Sequence, residues 1–255
     1  MQQAPQPGRQ SIEGWRGIGM RRIVRPARAR LLESLRGAGV RGAPLREADM
    51  PVFLVANPKG GVGKSTVATN LAGYFARRGL RTMLGDLDRQ QSAQAWLALR
   101  PLALPRIETW HIGDDRVARL PPGVTHAVID TPAALRGDLL RMALKSADRV
   151  IVPLQPSLFD IYATQAFLAR LADKGLLKED GRVGVLGMRV DARTRAAEQL
   201  QRFVEGLGLP VLGFLRDTQN YVQAAAHGAT LWDVTPSRVE KDLEQWQPLL
   251  DWADG

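Results

Sequence analysis

From residue 52 onward, short apolar runs alternate with longer stretches of helical periodicity, and this alternation is the strongest constraint on the fold. The apolar runs cover residues 52–56, 81–88, 106–112, 126–132, 149–156, 182–190 and 210–215. The helical stretches cover residues 64–78, 90–99, 134–145, 160–173, 194–206, 219–227 and 236–252. Such alternation is typical of βαβ units. We therefore predict an α/β fold, a doubly wound and mainly parallel sheet flanked by helices.

Polar segments follow four of the predicted strands, after residues 56, 85, 129 and 152. In an open parallel sheet, ligands bind at the carboxyl ends of the strands. The sequence therefore predicts one site that is assembled from these segments.

The first of these segments, GGVGKST, has the composition of a phosphate-binding loop. It follows a predicted strand and opens a predicted helix, which is the context that such a loop requires. Glycines let backbone N–H groups turn toward a polyphosphate, and the helix N-terminus adds partial positive charge. We expect Lys64 to reach the β- and γ-phosphates and the Ser65 hydroxyl to bind Mg²⁺. The residues expected to contact the nucleotide are Gly60, Gly61, Val62, Gly63, Lys64, Ser65 and Thr66.

The segment departs from the general pattern G-x-x-x-x-G-K-[ST] at its first position. Asn57 lies six residues before Gly63 and Pro58 lies five before it, so neither alignment supplies the first glycine. The alternative interpretation is a glycine-rich turn that carries a lysine by chance. The strand before the segment and the helix after it favour the phosphate loop.

The longer segment KGGVGKS, residues 59–65, is similar to the deviant phosphate loop of the ParA/MinD superfamily of ATPases. The resemblance covers nearly all of residues 51–235 and implies a P-loop NTPase of the deviant Walker A type. It also implies that Lys59 is the signature lysine, which reaches across a nucleotide-sandwich dimer to the partner's phosphates. A charge supplied in trans makes hydrolysis depend on dimerisation. The use of ATP rather than GTP follows from this resemblance and from no single residue.

The segment GDLDRQQSAQAW, residues 85–96, resembles the ParA switch I segment D-x-D-P-Q-x-S, with Arg89 where proline is usual. The resemblance implies that Asp88 orients the attacking water or a Mg²⁺-bound water, and that Asp86 supports the magnesium shell. The alternative is a polar strand end that caps the next helix. Alternate residues of a strand point to opposite faces. Of the two carboxylates we therefore favour Asp88 as the catalytic group.

Three later segments extend the resemblance. AVIDTPA, residues 127–133, is similar to the family's Walker B and switch II, which implies that Asp130 holds Mg²⁺ through water. VIVPLQPSLFD resembles a strand and loop beyond the site and implies a nucleotide contact at Pro153, although a buried strand with a proline-defined turn explains it nearly as well. GFLRDTQNYVQAAAHG, residues 213–228, occupies the place of the loop that flanks the base. The candidate base or dimer contacts there are Arg216, Asp217 and Asn220.

The composition excludes several other site classes. The chain has no cysteine, so disulfides, thiolate metal sites and thiol nucleophiles are excluded. Its three histidines, His111, His126 and His227, are not in metal-binding spacing. No uninterrupted apolar run of about 18 residues occurs, so no transmembrane helix is predicted.

The positive charge is concentrated near the N-terminus. Of the net charge of +9, residues 1–49 carry +6, with ten arginines, no lysine and four acidic residues. Irregular Pro, Gly and Arg spacing predicts a disordered arginine-rich leader. The alternative is that Met50 is the true start, because a strand follows it directly. Residues 50–255 are then expected to form a single ATPase domain.

Members of the resembled family bind the nucleoid or the membrane, and the charges in this sequence bear on both possibilities. Non-specific DNA binding requires several basic side chains on one face. Arginines near the late helices are candidates, although a solvated helix face explains them equally well: Arg189, Arg193, Arg195 and Arg202. The C-terminal stretch carries four acidic residues and no basic residue after Lys241, which anionic lipid would repel. We therefore predict that this stretch packs as a helix on the sheet.

The resemblance implies a cytoplasmic, nucleoid-associated ATPase that uses ATP and Mg²⁺. It is expected to dimerise with ATP, to bind DNA non-specifically, and to partition or position a replicon or a protein cargo. A ParB-like protein or cargo adaptor is expected to stimulate a slow hydrolysis, and no membrane partner is expected. The alternatives are a MinD-like regulatory ATPase that binds a membrane or a protein, and a metabolic P-loop enzyme that acts on a small molecule without a protein partner.

Overall fold

The computed structural model describes residues 50–110, 123–133, 135–173, 175 and 181–255. The predicted leader, residues 1–49, lies outside these residues, as do residues 111–112 of the third predicted strand and residue 134 of a predicted helix.

The described residues form one seven-stranded sheet in which every pairing is parallel. The strands are β1 (Val52–Val55), β2 (Thr82–Asp86), β3 (Ile107–Trp110), β4 (His126–Asp130), β5 (Arg149–Leu154), β6 (Val183–Gly187) and β7 (Val211–Phe214). Their order across the sheet is β3-β2-β4-β1-β5-β6-β7. The predicted α/β fold with a parallel sheet is confirmed. Each of the seven predicted strands overlaps one observed strand.

Helices connect the strands as predicted. They are α1 (Lys64–Arg77), α2 (Ser92–Leu99), α3 (Gly137–Ser146), α4 (Leu158–Asp173), α5 (Arg195–Glu205), α6 (Gln219–Ala226) and α7 (Pro236–Asp254). A short 3₁₀ helix at Leu231–Asp233 was not predicted. It is closed by a capping box between Thr230 and Asp233, whose spacing is three residues in the sequence.

The sheet separates two hydrophobic layers. In β1, Val52 and Leu54 face one layer while Phe53 and Val55 face the other, as the period of a strand requires. Helices α3, α4 and α5 cover the first layer, and helices α1, α2 and α7 cover the second. The four β1 side chains that face these layers are fully buried. Each contributes about 1.5–3 kcal/mol by leaving water.

The C-terminal helix packs on the sheet, as predicted. In α7, Val239, Trp246, Leu249 and Leu250 are buried in the second layer. Its apolar face is therefore already occupied. Among the described residues, we find no helix with the length and apolar character needed to cross a membrane.

Strand β1 marks the point where the direction of winding changes. From β1 the chain first builds β2, β3 and β4 on one side, and then crosses to build β5, β6 and β7 on the other. Open α/β sheets bind ligands in the crevice at such a switch point, outside the carboxyl ends of the strands. The glycine-rich segment after β1 lies at this point.

Candidate functional site

The loop between β1 and α1 has the backbone of an anion cradle. Gly61 and Gly63 have φ of 73° and 93°, in the left-handed region that side chains rarely adopt. Gly63 is the N-cap of α1 and offers no side chain to cap it. The first N–H groups of a helix lack intrahelical partners, so those of Lys64, Ser65 and Thr66 are available to a ligand.

Space beside Gly63 is also limited, by the end of one flexible side chain. A Cβ atom at this position would lie 2.7 Å from Cε of Met188, the residue that follows β6. At Gly61, by contrast, an added Cβ meets nothing within 4 Å. The loop is therefore packed directly against the end of β6 at one of its two left-handed glycines.

Asn57, two residues after β1, anchors the loop. Its Nδ2 donates to the carbonyl oxygen of Pro153 at 2.8 Å and to the Thr164 hydroxyl at 2.9 Å. Its Oδ1 accepts from the Lys59 N–H at 2.8 Å. Asn57 and Thr164 are buried, so the side chain is a fixed link from the loop to β5 and α4. Sequence reasoning noted the residue but missed this role.

A second link holds the loop from the same side. Gln155, just after β5, donates from Nε2 to the carbonyl oxygen of Gly61 at 2.9 Å. Pro153, a predicted nucleotide contact, lies within β5. Its carbonyl oxygen accepts the hydrogen bond from the Asn57 amide. In the structure it supports the loop, and its contact with nucleotide stays a prediction.

The two lysines of the loop differ in their surroundings. Lys64 is buried, and its Nζ donates to the Lys59 carbonyl oxygen at 2.7 Å. Burial lowers the pKa of Lys64, and the carboxylates of Asp130 and Asp88 oppose that shift. The Lys59 side chain makes no hydrogen bond or ion pair with any residue that the structure describes. The Lys64 ammonium is therefore bound within its own loop, whereas the Lys59 ammonium has no acceptor among the described residues.

Asp130, the last residue of β4, lies beside the start of α1. Its carboxylate is 1% exposed and accepts hydrogen bonds from the Ser65 hydroxyl and from the Thr131 N–H at 2.9 Å. Its pKa is raised to about 7, chiefly by burial and also by the nearby Asp86 charge, and against the opposing effects of the bonds from Ser65 and Thr131 and of the Lys64 charge. A buried carboxylate with such a pKa is stabilised in its charged form by a cation.

The chemistry of these residues fits Mg²⁺, and its binding by them stays a prediction. No cluster of three or more carboxylate, imidazole or thiolate groups suited to a metal occurs in the described part of the chain. Mg²⁺ is usually bound by one or two carboxylates together with substrate phosphates and waters. The Ser65 hydroxyl and the Asp130 carboxylate form such a minimal set next to the cradle.

The two aspartates after Gly85 have separate roles. Asp86 ends β2 and is buried; its two carboxylate oxygens accept from the Asp88 N–H and the Ala93 N–H, each at 2.8 Å. It therefore caps the turn and the first residues of α2, which is the alternative that we kept open. Asp88 accepts from the Gln90 N–H at 3.0 Å, is partly exposed, and acts electrostatically on Lys64. The free sides of its carboxylate are consistent with the role predicted for it.

The loop after β7 is fixed by a residue that sequence reasoning missed. Asp242 of α7 is fully buried and pairs with the Arg216 guanidinium. Its second oxygen accepts from Asn220 Nδ2 at 2.6 Å. Gln245, one turn further along α7, accepts the Arg216 N–H at 2.9 Å. A charged residue on the apolar face of the C-terminal stretch was the available signal.

The four arginines predicted to bind DNA lie on the exposed surface around β6 and α5. Arg189 approaches Asp217 at 3.9 Å, and Arg193 forms a two-pronged contact with Asp191, with both bonds at 2.9 Å. This contact lowers the pKa of Asp191 to about 2. Arg195 and Arg202 are seven residues apart on α5, which places them on the same face.

Comparison with known proteins places this site in a family. Residues 53–231 match the model of the CobQ/CobB/MinD/ParA nucleotide binding domain. The chain is 32% identical over 185 residues to the maintenance of carboxysome distribution protein A of Gloeobacter kilaueensis, an alignment that covers 71% of this chain and 83% of that protein. It is 30% identical over 181 residues to the chromosome-partitioning ATPase Soj of Thermus thermophilus, covering 58% of this chain and 72% of Soj.

The fold is also similar to that of a plasmid partition protein from Borrelia burgdorferi bound to AMPPNP. The TM-score is 0.63 at 16% identity, and the match covers 79% of this chain and 99% of the other. That identity supports a shared fold. The family model spans most of the described chain, including the phosphate loop, Asp88, Asp130 and Arg216. The chain therefore belongs to the CobQ/CobB/MinD/ParA family of nucleotide-binding domains, the ParA/MinD superfamily that its phosphate loop resembles.

Proposed function

We propose that this chain is a ParA-type ATPase that dimerises with ATP, binds DNA non-specifically, and positions a replicon or a protein cargo. The observation that carries the proposal is the pair of lysines in one loop. Lys64 is buried and bound within the loop, whereas the Lys59 ammonium has no acceptor among the described residues. A second charge held ready beside a complete cradle is what hydrolysis controlled by dimerisation requires.

In this proposal the cradle binds the phosphates of ATP. The N–H groups of residues 60–66 surround them, and Lys64 exchanges the Lys59 carbonyl for the β- and γ-phosphates. Ser65 and Asp130 hold Mg²⁺, which neutralises charge on the phosphate oxygens when it is bound. Asp88 orients the attacking water, and Lys59 of one subunit reaches the phosphates of the other.

Hydrolysis in this scheme is slow in the isolated subunit because one positive charge is supplied in trans. An arginine finger that acts in this way raises the rate about 10³- to 10⁵-fold. A partner protein that orders the Lys59 side chain or the Asp88 turn accelerates the reaction. The class of partner that we expect is a ParB-like protein or a cargo adaptor.

The cargo is a replicon or a protein body. The relatives are named for carboxysome distribution and for chromosome partitioning, and both activities move a large object. Exposed arginines supply the proposed DNA surface, with Arg195 and Arg202 on one face of α5. Arg193 contributes less, because Asp191 already shares its charge.

Co-sedimentation of the full chain with DNA tests this proposal. It is run with ADP, with ATP, and with ATP and the Asp88→Ala variant. We expect binding with ATP, stronger binding by the variant because hydrolysis no longer ends the bound state, and little binding with ADP. Binding that is equal in all three conditions contradicts nucleotide control.

A second candidate is a regulatory ATPase that binds a protein and not DNA. It is favoured by three exposed apolar side chains at the start of α4, Leu158, Phe159 and Tyr162, which are 54%, 76% and 59% exposed. They follow Gln155, which is bonded to the phosphate loop. No DNA binding in any nucleotide state, with ATP hydrolysis intact, selects this candidate.

A further inference from the structure

The 3₁₀ helix at Leu231–Asp233 is bonded to the middle of α1. Asn70 of α1 is buried; its Oδ1 accepts from the Leu231 N–H at 3.0 Å, and its carbonyl oxygen accepts from Trp232 Nε1 at 2.8 Å. The Asn70 Nδ2 donates to the carbonyl oxygen of Thr66, in the first turn of α1, at 2.9 Å. The 3₁₀ helix is therefore tied to the helix that begins at the phosphate loop.

Close packing fixes the 3₁₀ helix in one position on α1. A Cβ atom at Gly73 would lie 2.4 Å from Cγ2 and 2.6 Å from Oγ1 of Thr230. Thr230 is fully buried, and Asp233 accepts from both its N–H at 2.9 Å and its hydroxyl at 2.8 Å. Because its hydroxyl and its N–H are both bonded, the Thr230 side chain has no freedom to move aside.

The same Asp233 carboxylate holds Arg100, the residue that follows α2. Arg100 Nη1 donates to Asp233 Oδ2 at 3.0 Å, and Nη2 donates to Oδ1 at 3.4 Å. The guanidinium also donates to the carbonyl oxygens of Gly228 at 3.1 Å and Pro105 at 2.9 Å. The Arg100 and Asp233 side chains are 5% and 1% exposed. The C-terminal end of α2 is thus joined to α1 through the 3₁₀ helix.

The backbones also meet at this end of α2. A Cβ atom at Gly228 would lie 2.4 Å from the Arg100 nitrogen and 2.4 Å from the Leu99 carbonyl carbon. The end of α2 therefore lies directly on the turn that leads into the 3₁₀ helix, and a shift of one requires a shift of the other.

The opposite end of α2 begins in the turn that carries Asp88. Asp86 holds this end through the Ala93 N–H at 2.8 Å. Gln91, the N-cap of α2, has φ of 51° and ψ of 39°, a left-handed conformation that is unfavourable for a residue other than glycine. Such a conformation persists only where the surrounding structure imposes it. Asp86 at one end of α2 and Arg100 at the other supply that constraint.

A buried ion pair is a weak source of net stability, because desolvation offsets most of the attraction between the charges. What the pair of Arg100 and Asp233 does supply is geometry, since the planar guanidinium fork accepts few arrangements of its partners. The geometry that it fixes is that of α2 relative to α1. The Asp88 turn lies at the start of α2, and the phosphate loop lies at the start of α1.

We propose that Arg100 and Asp233 are positioning residues for hydrolysis, which hold the Asp88 turn in one geometry relative to the phosphate loop. The inference rests on the proposed ATPase function and on the role of Asp88 in it. Neither positioning residue touches the nucleotide. When the pair is broken, α2 loses one of its two anchors, the strain at Gln91 is no longer opposed, and Asp88 leaves its place.

A purely structural role for the pair is the competing explanation. If the pair only stabilised the fold, breaking it would lower the free energy of unfolding and leave the folded chain unchanged. Turnover at saturating ATP and the order of the Asp88 turn would then stay as in wild type. The two explanations therefore differ in a catalytic rate and in a local measurement.

The experiment compares the full chain with two variants, Arg100→Lys and Asp233→Asn. Lysine keeps the positive charge of Arg100 but lacks the fork that bonds three partners at once. The matched control is Arg78→Lys, which alters an exposed ion pair with Asp254 at the end of α1. For each chain we measure ATP turnover at saturating ATP and Mg²⁺, affinity for AMPPNP, and amide hydrogen exchange of residues 86–93 and 64–70.

We expect kcat to fall by about tenfold to 100-fold in both variants, the scale of a small misplacement of a catalytic group. AMPPNP affinity should stay within about threefold of wild type, because the cradle is intact. Exchange at residues 86–93 should become faster by about tenfold or more, while residues 64–70 keep their protection. The control should show none of these changes. Thermal unfolding shows whether each variant folds, and Arg100→Lys provides the test if Asp233→Asn does not.

A second substitution tests the strain itself. Glycine adopts the left-handed conformation without steric cost, so Gln91→Gly should stabilise the native turn when α2 is held less firmly. In the Arg100→Lys background it should therefore restore turnover by about fivefold. A structural role for Arg100 predicts no such recovery, because the ion pair stays broken.

Four results overturn the inference. They are an unchanged kcat in Arg100→Lys, an equal loss of kcat and AMPPNP affinity, an equal rise in exchange in α1 and in the Asp88 turn, and no recovery with Gln91→Gly. In each of these cases wild-type turnover leaves the proposed function standing. A wild-type chain that binds AMPPNP but shows no ATP turnover overturns the proposed ATPase function, and the inference with it.

Discussion

Asn57 donates its side-chain amide to the Thr164 hydroxyl at 2.9 Å, a bond between residues 107 positions apart. It fastens the phosphate loop to the middle of α4, and the same amide also reaches the carbonyl of Pro153 in β5. A residue without a side-chain amide at this position can make neither contact. Side-chain bonds thus hold the phosphate loop of this chain to β5 and α4.

The first prediction concerns this anchor. Asn57→Ala removes three hydrogen bonds and leaves the buried Thr164 hydroxyl and Pro153 oxygen with one partner fewer. We expect a loss of about 2–4 kcal/mol in the free energy of unfolding, measured by urea denaturation. Nucleotide affinity should fall as well, because the Lys59 N–H is released.

The double variant Asn57→Ala with Thr164→Val provides the control. Removing both partners of a buried bond costs less than the sum of the single changes. Additive losses would show that the two residues do not interact.

The second prediction compares the two left-handed glycines. Gly61→Ala places a side chain at φ of 73° with free space around it, so about 1–2 kcal/mol of strain is expected. At Gly63 φ is 93°, further from the left-handed minimum, and an added Cβ would also displace the Met188 methyl group, so Gly63→Ala should cost more. Unfolding of both variants by urea checks the order.

A double-mutant cycle with Met188→Ala separates the overlap from the backbone strain. Met188 is buried, so its truncation lowers stability by itself. Gly63→Ala should nevertheless cost less in the Met188→Ala background than in wild type, by the part that comes from the overlap, and the part that comes from φ should stay. Equal stability of the two single variants would contradict the packing described here.

The third prediction is a pH dependence that arises from Asp130. Its pKa is raised to about 7 in the folded chain, against an ordinary value of 3.8 for an aspartate side chain. Between these values the folded chain binds more protons than the unfolded chain, so the free energy of unfolding falls as pH rises from about 4 to 7. At 1.36 kcal/mol per unit, the full effect is at most about 4 kcal/mol.

Urea unfolding of the nucleotide-free protein across this range, compared with Asp130→Asn, measures the effect. The variant should lose this part of the pH dependence and should be more stable than wild type at pH 8. A wild-type chain that gains stability between pH 4 and 7 relative to the variant would reverse the sign and contradict the prediction.

The fourth prediction separates the two lysines. Lys64→Ala removes a buried charge from the cradle and should abolish nucleotide binding. Lys59→Ala removes a side chain without an acceptor among the described residues. It should bind ATP within about threefold of wild type and lose hydrolysis by at least about 10³-fold, the scale of a charge supplied in trans. Calorimetry for binding and phosphate release for turnover distinguish the two.

Mixing subunits gives the decisive control. A Lys59→Ala subunit combined with a subunit defective at Asp88 should recover part of the activity if Lys59 acts across the dimer. No recovery would place Lys59 in its own active site.

The fifth prediction concerns the proposed DNA surface. Arg193 is neutralised by its two bonds to Asp191, so Arg193→Glu should weaken DNA binding less than Arg195→Glu. Conversely, Asp191→Asn frees Arg193 and should strengthen binding and steepen its salt dependence. Titrations at several salt concentrations test both. An equal effect of the two arginine variants would contradict the pairing in solution.

Much of the fold could be predicted because local pattern and tertiary structure agree. The run VFLVA has the length and composition of a strand buried on both faces, and it became the central strand. The glycines of the loop predicted a backbone that turns its N–H groups toward a ligand, and the left-handed φ values of Gly61 and Gly63 agree with such a turn. Asp130 could be placed at the site edge because it ends an apolar strand.

The remaining site residues depend on contacts that local sequence does not contain. Asn57 acts through a helix that begins 101 residues later, and Met188 acts by its distance from Gly63. For Asp86, one pattern allowed two roles, a metal ligand or a cap, and the position of the Ala93 N–H decided between them. The role of Asp242 was not predicted, because an acidic residue in an amphipathic helix is usually solvated.

The bond from Lys64 Nζ to the Lys59 carbonyl has a mechanical consequence. The Lys64 side chain supports the backbone that carries Lys59, because it holds the carbonyl oxygen of that residue. A phosphate that binds Lys64 Nζ removes this support and leaves the Lys59 N–H bonded to Asn57. In a dimer built as proposed, nucleotide binding in one subunit would thus loosen one of the two backbone bonds beside the lysine that this subunit extends toward its neighbour.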